Sequence, residues 1–460
     1  MYTKRFLAMF AASTVVALGL VTAQPAAVRA QSARAEHWVG TWATAVVARP
    51  QGPLAAAAGF GVGVTPQCFG QAPAVSTSAP STPPAPAAGR GQGGGRGGTP
   101  PVPINFNNQT LRQIVRTSLG GDRVRVVLSN TFGTSPLTVG AAHVALREKD
   151  AMTVAKSDRV LAFGGSPSVN IPPGSMVVSD PVVLTVPPSA DLAIDLYLPG
   201  DTAASTSPLT THGGALQTSY VSAAGDQTGA PDLPGATTMA AWFFLARVEV
   251  VAPAQTGAVV TFGDSITDGT RSTPNTNNRW PDQLARRLQA QKINLGVLNQ
   301  GIAGNRVLGD GAGVSALARF DRDVLAQPGV THVIVLESIN DIGLARDSAC
   351  PTVRDLVAGQ AQLIERAHAR GIKIYGGTLL PFEGAAYYTP EGEAKRREFN
   401  EWVRTNKNFD GVVDFDAATR DPNAPTKLLP QYNSGDNLHL NDAGYQVMAN
   451  AVDLALFKKK

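Results

Sequence analysis

Ala258-Val259-Val260-Thr261-Phe262 runs directly into Gly263-Asp264-Ser265-Ile266-Thr267-Asp268-Gly269. The first five residues read as a short buried strand, because they are uncharged and rich in β-branched side chains. The glycine-flanked stretch after them reads as a tight turn that leaves Ser265 at the carboxyl end of that strand. A serine hydroxyl is a poor nucleophile at neutral pH. The motif therefore gains meaning only with a base, and with hydrogen-bond donors able to hold an oxyanion.

Downstream, two textures alternate. Residues 293–298, 331–336, 372–375 and 411–415 are strand-like, whereas 281–290, 356–370, 391–403 and 441–457 read as helices. Leu284 and Leu288 stand one helical turn apart, Pro281 suits a first turn, and Gly371 stops the helix before it. Strands alternating with helices predict a parallel sheet covered on both faces, with ligands beyond the carboxyl ends of its strands. Three more polar clusters belong to that rim. They are Asn299-Gln300-Gly301-Ile302-Ala303-Gly304-Asn305, Glu337-Ser338-Ile339-Asn340-Asp341, and Asp436-Asn437-Leu438-His439 before the last helix.

Upstream the pattern differs. An extended start at 37–48 and strand-like runs at 111–117, 123–128, 181–186, 192–197 and 242–250 are separated by turn-rich spacers, with no long amphipathic helix. This predicts an all-β sandwich or jelly-roll domain over 36–252, ahead of an α/β domain over 255–457. Within the first domain, residues from about 50 to 103 are dominated by Ala, Gly, Pro and Ser and end in a Gly-Arg-rich run at 89–98. Such a stretch buries too little apolar surface to offset its ordering entropy, and it is read as a flexible insertion. Trp38, Trp42 and Trp242 suit either a core or a sugar platform.

Composition narrows the class. With 43% hydrophobic and 16% charged residues, wholesale disorder is excluded. Lys4 and Arg5 precede an apolar run from residue 6 to 21, with small-residue cleavage sites at Val21-Thr22-Ala23 and Val28-Arg29-Ala30. Residues 1–30 are read as a secretory signal peptide, with a retained membrane anchor as the alternative. No later stretch reaches the ~18 continuous apolar residues that span a bilayer. The protein is therefore expected to be exported, periplasmic or extracellular, without a stable membrane anchor. Removing residues 1–30 takes the formal charge from +4 to +1. No basic stripe with interleaved aromatics occurs, so no nucleic-acid partner is expected. The two cysteines, Cys68 and Cys350, have no zinc-like spacing, so no metal or other cofactor is expected. Export permits a disulfide between them, and the sequence leaves bridge and free thiols equally open.

The four polar blocks, in this order, resemble those of a GDSL esterase of the SGNH hydrolase family, of the exported bacterial type with an added N-terminal β-domain. The likeness covers about residues 257–457 and implies a flavodoxin-like three-layer α/β domain. It makes Ser265 the nucleophile, His439 the general base and then acid, and Asp436 the residue that orients the imidazole. The N–H of Ser265, the N–H of Gly304 and the side-chain amide of Asn340 would form the oxyanion hole. Another carboxylate in place of Asp436 stays open. Asp264 and Asp341 suit loop-tying bonds to backbone N–H groups, Gly301 and Asn305 suit shaping of the oxyanion loop, and His37, His143, His212, His332 and His368 read as structural or surface residues. Two departures stand out. Ser338 replaces the glycine usual in the third block, which could narrow the pocket or add a substrate contact. Thr267 occupies the second glycine position of a Gly-x-Ser-x-Gly elbow, which argues against the ordinary α/β-hydrolase fold.

The resemblance implies a serine esterase acting through an acyl-enzyme, with acetylated polysaccharide as the leading expected substrate. Two rivals remain open at this point: a lipase or phospholipase acting on longer acyl chains, and a carbohydrate-binding protein on an esterase scaffold.

Overall fold

In the computed structural model, five parallel strands form the centre of the C-terminal half, in the order Leu295–Gly301, Gly257–Gly263, Val330–Leu336, Lys373–Gly377, Gly411–Val413. The structure describes residues 36–51, 104–345 and 350–458. The signal-peptide reading at 1–30 and nearly all of the insertion reading at 50–103 lie outside them. Cys350 is disulfide-bonded, and the only other cysteine of the chain, Cys68, also lies outside the described residues.

Numbered along the chain, the sheet order is 2-1-3-4-5. The strand that leads to Ser265 is thus interior to the sheet and buried along its whole length, as its apolar sequence requires. The order reverses beside this strand, which opens a crevice at its carboxyl end. Helix Trp280–Ala290 starts with proline in its first turn and buries Trp280, Leu284 and Leu288. The last helix is shorter than expected. It spans Asp442–Ala451, and Leu454–Phe457 forms a separate 3-10 turn whose first free N–H is capped by Asp453. Among the short helical segments that escaped the sequence reading is Ala316–Phe320, continued by a π-turn at Asp321–Leu325. It is short and carries no clean apolar stripe, but it places Arg319 under the sheet's edge.

From residue 38 to 251 the described chain is built of antiparallel strands in a five-stranded, a seven-stranded and a three-stranded sheet, together with one isolated two-stranded pair. Val124, Val126 and Leu128 of one sheet bury against Leu111, Val115, Ile194 and Leu196 of another. The run read as one strand over 242–250 is two, Ala241–Phe243 and Leu245–Val251, in different sheets. Phe244 between them takes φ 57, and this left-handed residue turns the chain from one sheet to the other. Trp42 and Trp242 meet edge to face at 5.0 Å, and the Trp242 indole N–H donates to the Ile114 carbonyl. Both are core residues, which removes them as a sugar platform. Strand Gln109–Arg116 is buried on both faces. Its Arg112 is fully enclosed and meets Asp195, directly opposite on the neighbouring strand, through two bonds of 2.8 and 2.7 Å.

Residues from His37 onward form one compact unit, so the β part and the α/β part pack together. Two polar ties mark the seam. Ser118 Oγ accepts the N–H of Val297, and His212 bridges the Ala45 carbonyl and Asp268 at 2.7 and 3.0 Å. Asp268 ends the short helix that begins at Ser265, so His212 reaches across the seam to the helix of Ser265. The sequence reading that made His212 a structural residue agrees with this contact but gave no hint of its partner.

Burial by itself would lower the His212 pKa. The charge and hydrogen bond of Asp268, with the Ala45 carbonyl, outweigh it and raise the pKa. Stability from this tie is therefore fully present below the ordinary histidine pKa and is lost as pH rises through the raised folded value. Thermal unfolding of wild type and His212→Gln should accordingly differ more at about pH 6 than at about pH 9. A gap that widens on the alkaline side would contradict the assignment.

Candidate active site

Ser265 is the first residue of the helix Ser265–Asp268, at the carboxyl end of the strand Gly257–Gly263. Asp264 caps that helix by accepting the Ile266 N–H at 2.9 Å. The Ser265 N–H belongs to the first turn and has no carbonyl within the helix to bond. Its side chain is not sealed off, since the residue keeps 6% of its surface exposed.

The loop before the last helix brings Asp436 and His439 to this serine. Asp436 Oδ1 accepts the N–H groups of Leu438 and His439 at 3.1 and 2.8 Å, which explains the three-residue spacing. Oδ2 is then left facing the imidazole. His439 Nδ1–H donates to it at 2.8 Å, and Nε2 accepts the Ser265 hydroxyl at 2.8 Å. Partial burial pushes the Asp436 carboxyl up. The bonds from the His439 ring and from both backbone N–H groups outweigh that, and hold it far below the ordinary carboxylate range. The carboxylate is thus charged and aimed at the ring nitrogen away from the serine.

The oxyanion side is built by the second and third blocks. Gly304 takes φ 78, a conformation that glycine adopts freely, and its N–H enters no hydrogen bond among the described residues. Asn340, buried in the helix Ile339–Gly343, donates one amide hydrogen to the Asn305 carbonyl at 3.0 Å. Its second N–H remains available. Asp341 accepts the N–H groups of Val307 and Leu308 at 2.8 and 3.0 Å, tying the second block to the third. Gly301 sits against the backbone of Asp268, where a side chain would have no room.

Beneath these loops lies Arg319, fully buried. Its guanidinium donates to the carbonyls of Gly263 and Gln300, to Asn305 Oδ1 and to Asp323, at 2.9, 2.7, 2.9 and 3.1 Å respectively. Burial pushes the nearby acids up, Asp264 to about 7 and Asp341 to about 6, while Glu337 rises well above its ordinary value. The Ser265 hydroxyl bonds His439 and none of these three acids. Arg271, at the exposed rim, is a further residue that no motif marks. Its Nε donates to Asp436 Oδ2 at 3.3 Å from a backbone held at φ 75.

Ser338 does not meet the expectation of a pocket-lining residue. It is fully buried, and its hydroxyl accepts a long 3.4 Å contact from Gln360. Its backbone sits at φ 115, where glycine belongs, so the serine carries strain rather than specificity. An L-residue in left-handed conformation costs about 1–2 kcal/mol, and glycine's looser unfolded state takes back about 0.4–1 kcal/mol. Ser338→Gly should therefore raise the unfolding midpoint slightly, by up to about 1 kcal/mol of stability. A lower midpoint in thermal melts would rule the strain account out.

Comparisons with known proteins bear on this site. The family model described as GDSL-like lipase/acylhydrolase matches residues 261–447, a segment that contains all four blocks. Solved structures with a similar chain trace include an acetylxylan esterase from Geobacillus stearothermophilus, 22% identical, covering 45% of this chain and 97% of that one, at a TM-score of 0.34. A GDSL-like lipase from Bacteroides thetaiotaomicron is 20% identical and covers 45% of this chain and 90% of that one, also at 0.34. LAE5, an α/β hydrolase from the metagenome of Lake Arreo, is 23% identical, with coverages of 44% and 94% and the same score. No curated protein matches the chain. Residues 261–447 thus match the GDSL-like lipase/acylhydrolase family model, and this match supports a hydrolase.

Proposed function

We propose that the protein is an exported serine esterase that removes short acyl groups, foremost acetyl, from carbohydrate. The observation that carries the chemical part is the unbroken chain of hydrogen bonds from Asp436 through His439 to Ser265, each link 2.8 Å long. As Ser265 Oγ attacks the ester carbonyl carbon, His439 Nε2 takes its proton and Asp436 stabilises the imidazolium. The carbonyl oxygen becomes an oxyanion, held by the N–H groups of Ser265 and Gly304 and the free N–H of Asn340. Collapse expels the alcohol, protonated by His439, and leaves an acyl-enzyme. Water, activated by the same histidine, then releases the acid. General-base catalysis contributes about 10²–10⁴ and each oxyanion donor about 10²–10³ in rate. No step calls on a metal or cofactor.

The substrate part rests on the surroundings of the site. Of the large apolar side chains exposed among the described residues, Val154, Val160, Met176, Val178 and Val183 lie in the β part, and only Leu344 is near the catalytic loops. The rim carries Arg271, Asp436 and Asn437 instead. Long acyl chains need apolar surface to leave water, so this rim favours small acyl groups on polar alcohols. Export rests on the charged and apolar pattern of residues 1–30. The division near residues 252–255, with a jelly-roll sandwich ahead of a flavodoxin-like catalytic domain, belongs to the same reading. The β part is read as a support for the nucleophile helix through His212.

Ser265→Ala should lower turnover of p-nitrophenyl acetate by about 10⁴–10⁶-fold in a folded protein. Along a series of p-nitrophenyl esters, kcat/KM should be highest at two to four carbons. Activity that rises beyond eight carbons would replace the acetyl reading with a lipase one, and unchanged turnover in Ser265→Ala would remove the serine mechanism.

A further inference from the structure

We propose that Tyr387 is a positioning residue of the oxyanion hole, holding the Asn340 amide with its free N–H toward the substrate carbonyl. The inference rests on the serine mechanism above and adds a residue to it. The Tyr387 hydroxyl lies 3.3 Å from Asn340 Oδ1 and donates to it, while Asn340 Nδ2 donates to the Asn305 carbonyl at 3.0 Å. A primary amide has one oxygen and two N–H groups. With the oxygen taken by Tyr387 and one N–H by Asn305, a single N–H remains. Turned over, the amide would set its oxygen against the Asn305 carbonyl and present no donor to an oxyanion. Two bonds from opposite sides therefore select the productive orientation.

The position of the ring is equally determined. Gly343 lies on the same short helix as Asn340, three residues on, and a Cβ there would fall 2.3 Å from Tyr387 Cδ2. The ring thus rests directly on bare helix backbone, with Phe382 beside it at 6.0 Å between centroids. This close approach allows the hydroxyl to reach Asn340. Burial, with the nearby charges of Asp264 and Asp436, pushes the phenol well above its ordinary pKa, so it stays a proton donor at every working pH. A hydrogen bond accepted at the amide oxygen also polarises the amide and strengthens its N–H as a donor.

Tyr387→Phe keeps the ring and removes only the hydroxyl. With p-nitrophenyl acetate, kcat should fall about tenfold with KM changed less than about twofold, since the oxyanion forms only in the transition state. In an Asn340→Ala background the same change should have no further effect on kcat. Gly343→Ala, which displaces the ring, should reproduce the kcat loss by a second route. The proposal is overturned if Tyr387→Phe turns over at the wild-type rate, whatever its melting temperature, or if its effect is equally large without Asn340. Ser265→Ala in parallel separates the two levels. Hydrolysis surviving that change removes the serine mechanism itself, whereas Ser265-dependent hydrolysis with a fully active Tyr387→Phe removes only the role of Tyr387.

Discussion

The buried guanidinium of Arg319 is the contact on which the catalytic geometry depends. One rigid, planar group bonds the last carbonyls of two neighbouring strands, at Gly263 and Gln300, and also holds the Asn305 side chain. The first strand delivers Ser265 and the second delivers the loop of Gly304. Their relative position is therefore set from below by one side chain with no freedom to deprotonate. A buried cation is tolerated only with partners, and Asp323 at 3.1 Å supplies the compensating charge. The Phe262 ring, 4.0 Å from the guanidinium carbon, closes its remaining side.

Above this anchor, each catalytic group is oriented by a neighbour that does no chemistry. Asp264 caps the nucleophile helix, Asp341 fastens the oxyanion loop, and the backbone N–H groups after Asp436 hold its carboxylate for His439. Burial leaves Asp264, Glu337 and Asp341 reluctant to ionise, so negative charge concentrates on Asp436, beside the His439 ring. The β part joins the same scheme, because His212 ends on the nucleophile helix.

The candidate site residues were legible because they are local. Asp436 and His439 are three residues apart and communicate through one turn, and Ser265 and Gly304 need only a strand end and a glycine. Individual strands and helices were legible from period and capping for the same reason. What escaped was non-local. Arg319 sits in a short helix and π-turn with no clear stripe, His212 finds its partner 56 residues away, and Tyr387 reaches Asn340 across 47. The sequence left the effect of Ser338 open, because a pocket-lining serine and a strained buried one look alike along the chain. The alternation around Arg112 likewise did not reveal that both faces of its strand are covered.

The sequence by itself determined the candidate chemistry: a serine, a histidine, an aspartate and an asparagine, each beside the turn residues that the proposed roles require. Backbone preference and hydrogen bonds within a few residues suffice for that. Only the tertiary structure decided how the four blocks are held to one another, which tryptophans are core, and which face of the β part meets the nucleophile helix. Those outcomes depend on burial and on pairings between distant residues. Such free energies are set by the packed whole and leave no periodic mark along the chain.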